Sequence, residues 1–250
     1  MTSRNNFLFK ETKSDRLMTK INLREISSRA KQWDHPGKCF LKTINLNKNR
    51  INNILKFSKE DRELCGLSLF GFGLQEDTGS DWWINIPNQD PPDGLIMNLL
   101  DIDGKGMKVM MREIEMVEHR TDPELLFDVI KKKLVDKFYN SDTVLVCFVL
   151  SPAVHDLKLL SEKLEKVSSE FCHVFVIFLG VMFNENIPSS QEFKSQFSVV
   201  QLLPKFNSVT FDLMKHIQIY KEKYEIGQES RLIDDGEIFY GTVNPKFAKS

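Results

Sequence analysis

The chain has no apolar run approaching the roughly 20 residues that a membrane-spanning helix needs, so nothing in it reads as a bilayer segment. Its first residues, MTSRNNFLFKETKSDR, lack an apolar stretch ahead of their charges. No secretory signal is read there, and the expected location is the cytoplasm. Cysteine is scarce: four residues (Cys39, Cys65, Cys147 and Cys172) stand far apart, with no C-x-x-C pair and no histidine at finger spacing. Structural zinc is therefore not expected, and Cys147 and Cys172, inside apolar β-like runs, read as reduced buried thiols. Five scattered histidines without a Gly-x-Ser-x-Gly elbow give a serine or cysteine triad nothing to rest on. Phosphate loops are missing too: Gly71-Phe72-Gly73 lacks the preceding strand and the following phosphate-binding helix, and no Walker lysine pattern occurs. DIDGKG at 101–106 opens like a calcium loop, but Lys105 takes a ligand position and Arg112 stands where a bidentate glutamate is required. It reads as a hairpin turn.

What the chain does have is length for a sizeable core, 250 residues, enough for one domain with or without an ancillary region. Its net charge of −1 hides an asymmetry: residues 1–59 hold 14 Lys/Arg against 4 Asp/Glu, and the remainder holds 20 against 31. A basic first quarter joined to an acidic body suggests contact with a polyanion, of which nucleic acid is the commonest. The alternative is a solvated basic helix face packed against the acidic remainder.

Residues 15–33 place Leu17, Ile21, Leu23, Ile26, Ala30 and Trp33 near helical spacing with Arg16, Lys20, Arg24, Arg29 and Lys31 largely between them. DHPGK then reads as a break, NKNRINNILKF as a second short helix, and SKEDRELCGLSLFGF as a third, capped by Ser58 or Asp61. After QEDTGSD the character turns extended: WWINI (82–86), GLIMNLLDI (94–102) and MKVMMREIEMVEH (107–119) form an expected antiparallel meander. TDPELLFDVIKKKLVDKF starts like a helix, with Leu125, Leu126, Val129, Ile130 and Leu134 on one side. TVLVCFVL and HVFVIFLG read as buried strands with a helix between them, which predicts parallel pairing through right-handed crossovers. FSVVQLLP reads as an edge strand, FDLMKHIQIYKEKYE as a closing helix. The expected fold is α/β: a central mixed sheet with an early antiparallel meander followed by α-β-α-β, in residues 59–226, flanked by a basic helical region (1–58) and a C-terminal tail (227–250).

The meander carries the chemistry. In NQDPPDG, Pro91 and Pro92 stop the preceding segment and leave Asp93 at the mouth of a strand. Twenty-two residues later Glu115, with Glu113 before it, arrives on the next strand, and antiparallel pairing can bring the two ends together. Two carboxylates so placed make a hard oxygen site suited to Mg²⁺. Taken singly the signals have plainer readings: Asp93 as a turn former, Glu113, Glu115 and Glu118 as the wet face of an edge strand, Lys131-Lys132-Lys133 as a solvated helix end.

PPDG, an apolar strand, a glycine turn, a strand containing IEMV, an amphipathic helix and a buried strand together resemble the core of the PD-(D/E)XK nuclease superfamily, over roughly residues 59–150. The resemblance implies a restriction-endonuclease-like fold, with Asp93 and Glu115 as metal acids and a glutamate from an upstream helix, for which Glu63 is the candidate. The lysine that orients the attacking water in that family falls on Val117. The cationic role can have moved to Lys131 or Lys132 on the next helix or to Arg120; the register can differ, with Glu113 as the metal acid; or the site can be inactive. The expected function is a Mg²⁺-dependent nuclease-like protein hydrolysing phosphodiester bonds in DNA, in restriction or defence. Asp93, Glu115, Glu113 and Lys131 would carry the site, and Arg16, Lys20, Arg24, Arg29 and Lys31 would hold the backbone. The alternatives are an inactive nuclease-fold protein that binds nucleic acid or a protein partner, and a structural subunit of an oligomer.

Overall fold

The structure, a computed structural model, describes residues 33–48, 54–87, 92–101, 107–120, 125–136, 143–151, 155–167, 171, 173–179 and 196–225. Five α-helices are found among them, α1 (Pro36–Leu46), α2 (Lys59–Thr78), α3 (Leu126–Asp136), α4 (Leu157–Leu164) and α5 (Leu213–Tyr220). The strands are β1 (Trp82–Asn85), β2 (Gly94–Asp101), β3 (Met107–His119), β4 (Val144–Val149), β5 (His173–Leu179), β6 (Gln196–Leu203) and β7 (Asn207–Asp212). All seven lie in one mixed sheet in sequence order. β1, β2 and β3 form the antiparallel meander, β3, β4 and β5 pair in parallel, and β6 and β7 return antiparallel. The crossovers β3-α3-β4 and β4-α4-β5 follow from the two continuous apolar runs, which can be satisfied only with both faces covered.

Helix α2 sets the shape of the sheet. Ser58 caps it, accepting the Asp61 N–H at 3.1 Å. Gly79, at φ 69°, closes it by donating to the Gln75 carbonyl at 2.8 Å from a left-handed conformation that suits glycine. Between these ends Cys65, Leu67, Leu69, Phe70, Phe72 and Leu74 are all buried, as expected of a helix that is apolar around its circumference. It touches β1 and β7, which are the first and last strands of the sheet, and also α1 and α5. One helix reaches both edges only because the sheet curls around it. The concave layer joins α2 to Ile114, Met116, Val146, Phe148, Phe175, Ile177 and Val199; the convex layer joins α3 and α4 to Leu145, Cys147, Val149, Val174 and Val176. Strand alternation supplies both sets from the same strands. Glycine makes the concave contact close. A Cβ on Gly66 would lie 2.7 Å from Met116 Cε, and one on Gly73 would lie 2.8 Å from Val199 Cβ. Of the glycines of GFG, Gly73 serves this contact, while a Cβ on Gly71 would lie 2.6 Å from Pro36 Cγ at the start of α1.

Several expectations are corrected. DHPGK also starts an unanticipated helix: His35 is the N-cap of α1 and Pro36 its first residue, where proline's missing N–H and fixed φ are no handicap. NKNRINNILKF contributes a single described 3₁₀ turn, Ile54–Lys56. FSVVQLLP is not an edge, because Asn207–Asp212 pairs outside it as β7. β3 is internal, which removes the wet edge-strand reading of its glutamates. Both Trp82 and Trp83 are core residues, 1% and 6% exposed. The expected helix over 15–33 and the tail beyond 226 lie outside the described residues, apart from Trp33, which is buried. Among the described residues no helix is long and apolar enough to cross a membrane.

His35 also clamps the C-terminal end of the fold. Its Nδ1 accepts the Gly37 N–H at 3.0 Å, and its Nε2 lies 2.9 Å from the Gln75 amide nitrogen. The ring stacks on Tyr220 and Tyr224 at 4.9 and 4.7 Å. Burial lowers its pKa from 6.5 to about 3. The unfolded chain therefore takes up a proton that the folded ring refuses, so stability falls as pH drops from about 6.5 towards 3. The slope from this residue is about 1.4 kcal/mol per pH unit, with buried His216 acting in the same direction. In urea unfolding between these limits, His35→Asn, which keeps a cap acceptor but cannot titrate, is expected to be less stable at neutral pH and to show a shallower pH slope. An unchanged slope would contradict the assignment.

Candidate functional site

The site arises where two paired strands differ in reach. β2 begins at Gly94, opposite Ile114, whereas β3 runs on to His119 with only β4 beside it, in register from Ile114↔Val144 to His119↔Val149. The flank that a longer β2 would fill is a notch. Asp93, the residue before β2, puts its Oδ2 2.7 Å from the Met116 N–H and so replaces the missing strand with a side-chain acceptor. Around the notch lies a cavity of about 390 Å³ lined by Lys59, Glu63, Asp93, Glu115, Met116, Val117, Glu118, Arg120 and Lys133.

Groups from opposite faces of the sheet meet there. Even-numbered residues of this part of β3 turn toward α2, odd-numbered ones toward α3. From the α2 side come Glu63 and Lys59, ion-paired one helical turn apart at 3.1 Å. From the α3 side comes Lys133, whose Nζ lies 2.9 Å from Glu115 Oε2; the two side chains are 21% and 2% exposed. Val117 faces the same way as Glu115 but packs against the convex core, beside Cys147. The cation beside the acid comes from the next helix instead.

The carboxylates disturb one another. Burial raises the pKa of Asp93, and Glu115 raises it further, against the lowering effects of the Met116 N–H, Lys133 and Lys59. Burial likewise raises Glu63, with Asp93 and Glu118 adding to it and Lys59 opposing. Among the described residues no three His, Cys, Asp or Glu side chains converge into a ready metal-binding group. Asp93 and Glu115 supply two carboxylates, which suits a Mg²⁺ that completes its shell with water and substrate phosphate. Asp93 and Glu63, held above their ordinary range by burial and by neighbouring carboxylates, are also what a divalent cation relieves.

The structure thus brings together Asp93, Glu115, Glu63 and Arg120 of the residues singled out in the sequence. Glu113 stays outside the cavity lining: it is half-buried and accepts from Thr143 Oγ1 at 3.4 Å. Lys131 and Lys132 are exposed and do not line the cavity, and the Lys131 ammonium sits 5.6 Å from the centre of the Phe127 ring. Lys133 takes the place expected for them. Its signal was available in the periodicity: with Leu126, Val129, Ile130 and Leu134 forming the buried stripe, position 133 falls on that stripe and 131 and 132 fall off it. Lys59 carried no such signal. Arg16, Lys20, Arg24, Arg29 and Lys31 lie outside the described residues. Cysteine chemistry is not in play at the described thiols, since burial pushes Cys39 and Cys65 up to about 12 and raises Cys147 as well.

Asp93 has two separable roles, hydrogen-bond acceptor and charge. Because its folded pKa is raised, its contribution to stability falls as pH climbs from the ordinary carboxylate range through the raised value. Asp93→Asn keeps an acceptor for Met116 and removes the charge, so without metal it is expected to melt at or above the wild-type temperature at neutral pH, the gain vanishing in acid. Asp93→Ala leaves the Met116 N–H without its acceptor and is expected to lose about 1–2 kcal/mol. Equal losses for the two variants would refute the carboxylate coupling. Compared with protein-family models, curated proteins and solved structures, the chain matches none of them.

Proposed function

We propose that this chain is a metal-dependent nuclease-like protein of restriction-endonuclease-like fold that hydrolyses phosphodiester bonds in DNA. The observation that carries the proposal is the convergence of Asp93, Glu115, Glu63 and Lys133 in one notch, within the element order α2-β1-β2-β3-α3-β4. That order and the placement of both acids agree with the superfamily resemblance, and Lys133 supplies the cation that Val117 does not.

Asp93 and Glu115 would hold Mg²⁺, with Glu63 close enough to be coupled electrostatically to Asp93. Bound there, the ion supplies Lewis-acid polarisation of a phosphoryl oxygen and a lowered pKa for a bound water. The Asp93 acceptor bond to Met116 fixes the first carboxylate against β3, so its position does not depend on substrate. Lys133, 2.9 Å from Glu115, is placed to donate to a water beside that carboxylate and to offset negative charge as it develops on phosphorus-bound oxygens. Its stem is fixed by the buried stripe of α3, so the ammonium is pre-positioned.

The same ion pair favours a second reading. Lys133 already neutralises Glu115 without metal, and an inactive nuclease-fold protein that binds nucleic acid would keep such a pair. Activity decides between them. Purified protein with Mg²⁺ or Mn²⁺ is expected to cut DNA, with Asp93→Ala and Glu115→Gln inactive. Lys133→Gln should lose about a hundredfold in kcat while Lys131→Gln stays at the wild-type rate. If the wild type leaves every DNA and RNA substrate intact with either metal, yet binds DNA without metal, the binding reading replaces the enzymatic one.

A further inference from the structure

The cavity has a third carboxylate–cation pair with a different construction. Glu118, on the α2 side of β3, is nearly buried and accepts from Arg62 Nε with both oxygens, at 3.0 and 3.1 Å. Arg62 is itself buried in α2 and fixed by a second bond, Nη1 to the Phe57 carbonyl at 2.5 Å. This pair would be complete as a structural ion pair. Yet Glu118 also accepts from Arg120 Nε, at 2.6 Å, and Arg120 is 50% exposed. Two guanidinium groups share one carboxylate, so the trio carries a net positive charge, placed at the cavity wall by the end of β3.

The division of labour within Arg120 is informative. Its Nε is held by Glu118, and its two terminal nitrogens make no hydrogen bond among the described residues. Anchoring Nε sets the plane of the guanidinium and leaves the outer fork for another acceptor, the geometry that suits bidentate phosphate binding. Arg62 supplies what makes this useful: it cancels the Glu118 charge that would otherwise repel an anion. Lys59, 64% exposed, stands on the same cavity with its ammonium on Glu63. Deep acids and outer cations together fit a polyanion whose reacting phosphate reaches the acids while a neighbouring one stays at the rim.

We infer that Arg120 is a substrate-binding residue that grips a backbone phosphate adjacent to the reacting one, its fork oriented by the Arg62-braced Glu118. The inference rests on the nuclease reading of the same cavity and names a contact that the metal acids do not provide. The test is binding of a labelled DNA duplex without divalent metal, measured by anisotropy over a series of NaCl concentrations. Arg120→Gln is expected to weaken binding about tenfold and to reduce the slope of log affinity against log salt by about one. Arg120→Lys should keep the slope, because the charge remains, but not the full affinity, because the fork is gone. Arg120 is half-exposed at a strand end, so thermal melts of both variants close to the wild type are expected. Wild-type affinity and slope retained in Arg120→Gln, or failure of the wild type to bind DNA at all in this assay, would overturn the inference; the nuclease reading stands or falls separately, on cleavage with Mg²⁺ or Mn²⁺.

Discussion

The burial of one apolar helix governs this molecule. α2 has no polar face wide enough to meet water along its middle, so the chain must surround it. A flat seven-stranded sheet would cover one side; a curled one brings β1 and β7 to the same helix. The small residues at 66 and 73 let strands approach where a Cβ would collide with Met116 or Val199. α1, capped by His35, and α5 then cover the remaining flanks, while α3 and α4 take the convex side of the sheet. The first turns of α2, still reaching outward, carry Lys59, Arg62 and Glu63 to the end of β3. The core and the site are thus two stretches of the same helix.

The site itself follows from an inequality of strand length. β3 extends five residues past the point where β2 starts, Ile114 to His119. An exposed ladder edge there would leave backbone donors without partners. Asp93 satisfies one of them with a side chain, and in doing so a carboxylate is fixed next to Glu115 at the cost of like-charge repulsion and burial. Strain of this electrostatic kind is typical of places that bind cations or perform acid-base work. In ordinary structural positions the same N–H is satisfied by a neutral strand.

How much of this is visible in the sequence depends on the range of the signal. Short-range signals were sufficient for β1, β2 and β3, for α3, and for the two apolar strands β4 and β5, where runs such as VLVCFV can only be buried on both sides. They also placed Asp93 before a strand and Glu115 on its neighbour. The start of α1 at HPGK was not legible, because Pro36 serves equally as a breaker and as a first helical residue and only the His35 cap distinguishes the two. The moderately polar NSVTFD of β7 has no apolar run to announce it and is a strand because β6 pairs with it. Lys133 was legible in principle, since it lies on the buried stripe of α3, but a run of three lysines reads first as a solvated surface. The Arg62–Glu118 pair joins residues 56 apart in the chain and has no local signature at all.

The central claim is that the Asp93–Glu115 notch receives a divalent cation, with Lys133 as the adjacent protein cation. Diffraction from crystals of the protein grown with Mn²⁺, collected at the manganese absorption edge, tests it most directly. An anomalous peak at coordination distance from both carboxylates, with Lys133 displaced from Glu115 by no more than a side-chain rotation, is the predicted result. An empty notch at saturating Mn²⁺, with the Lys133–Glu115 ion pair intact, would contradict the account.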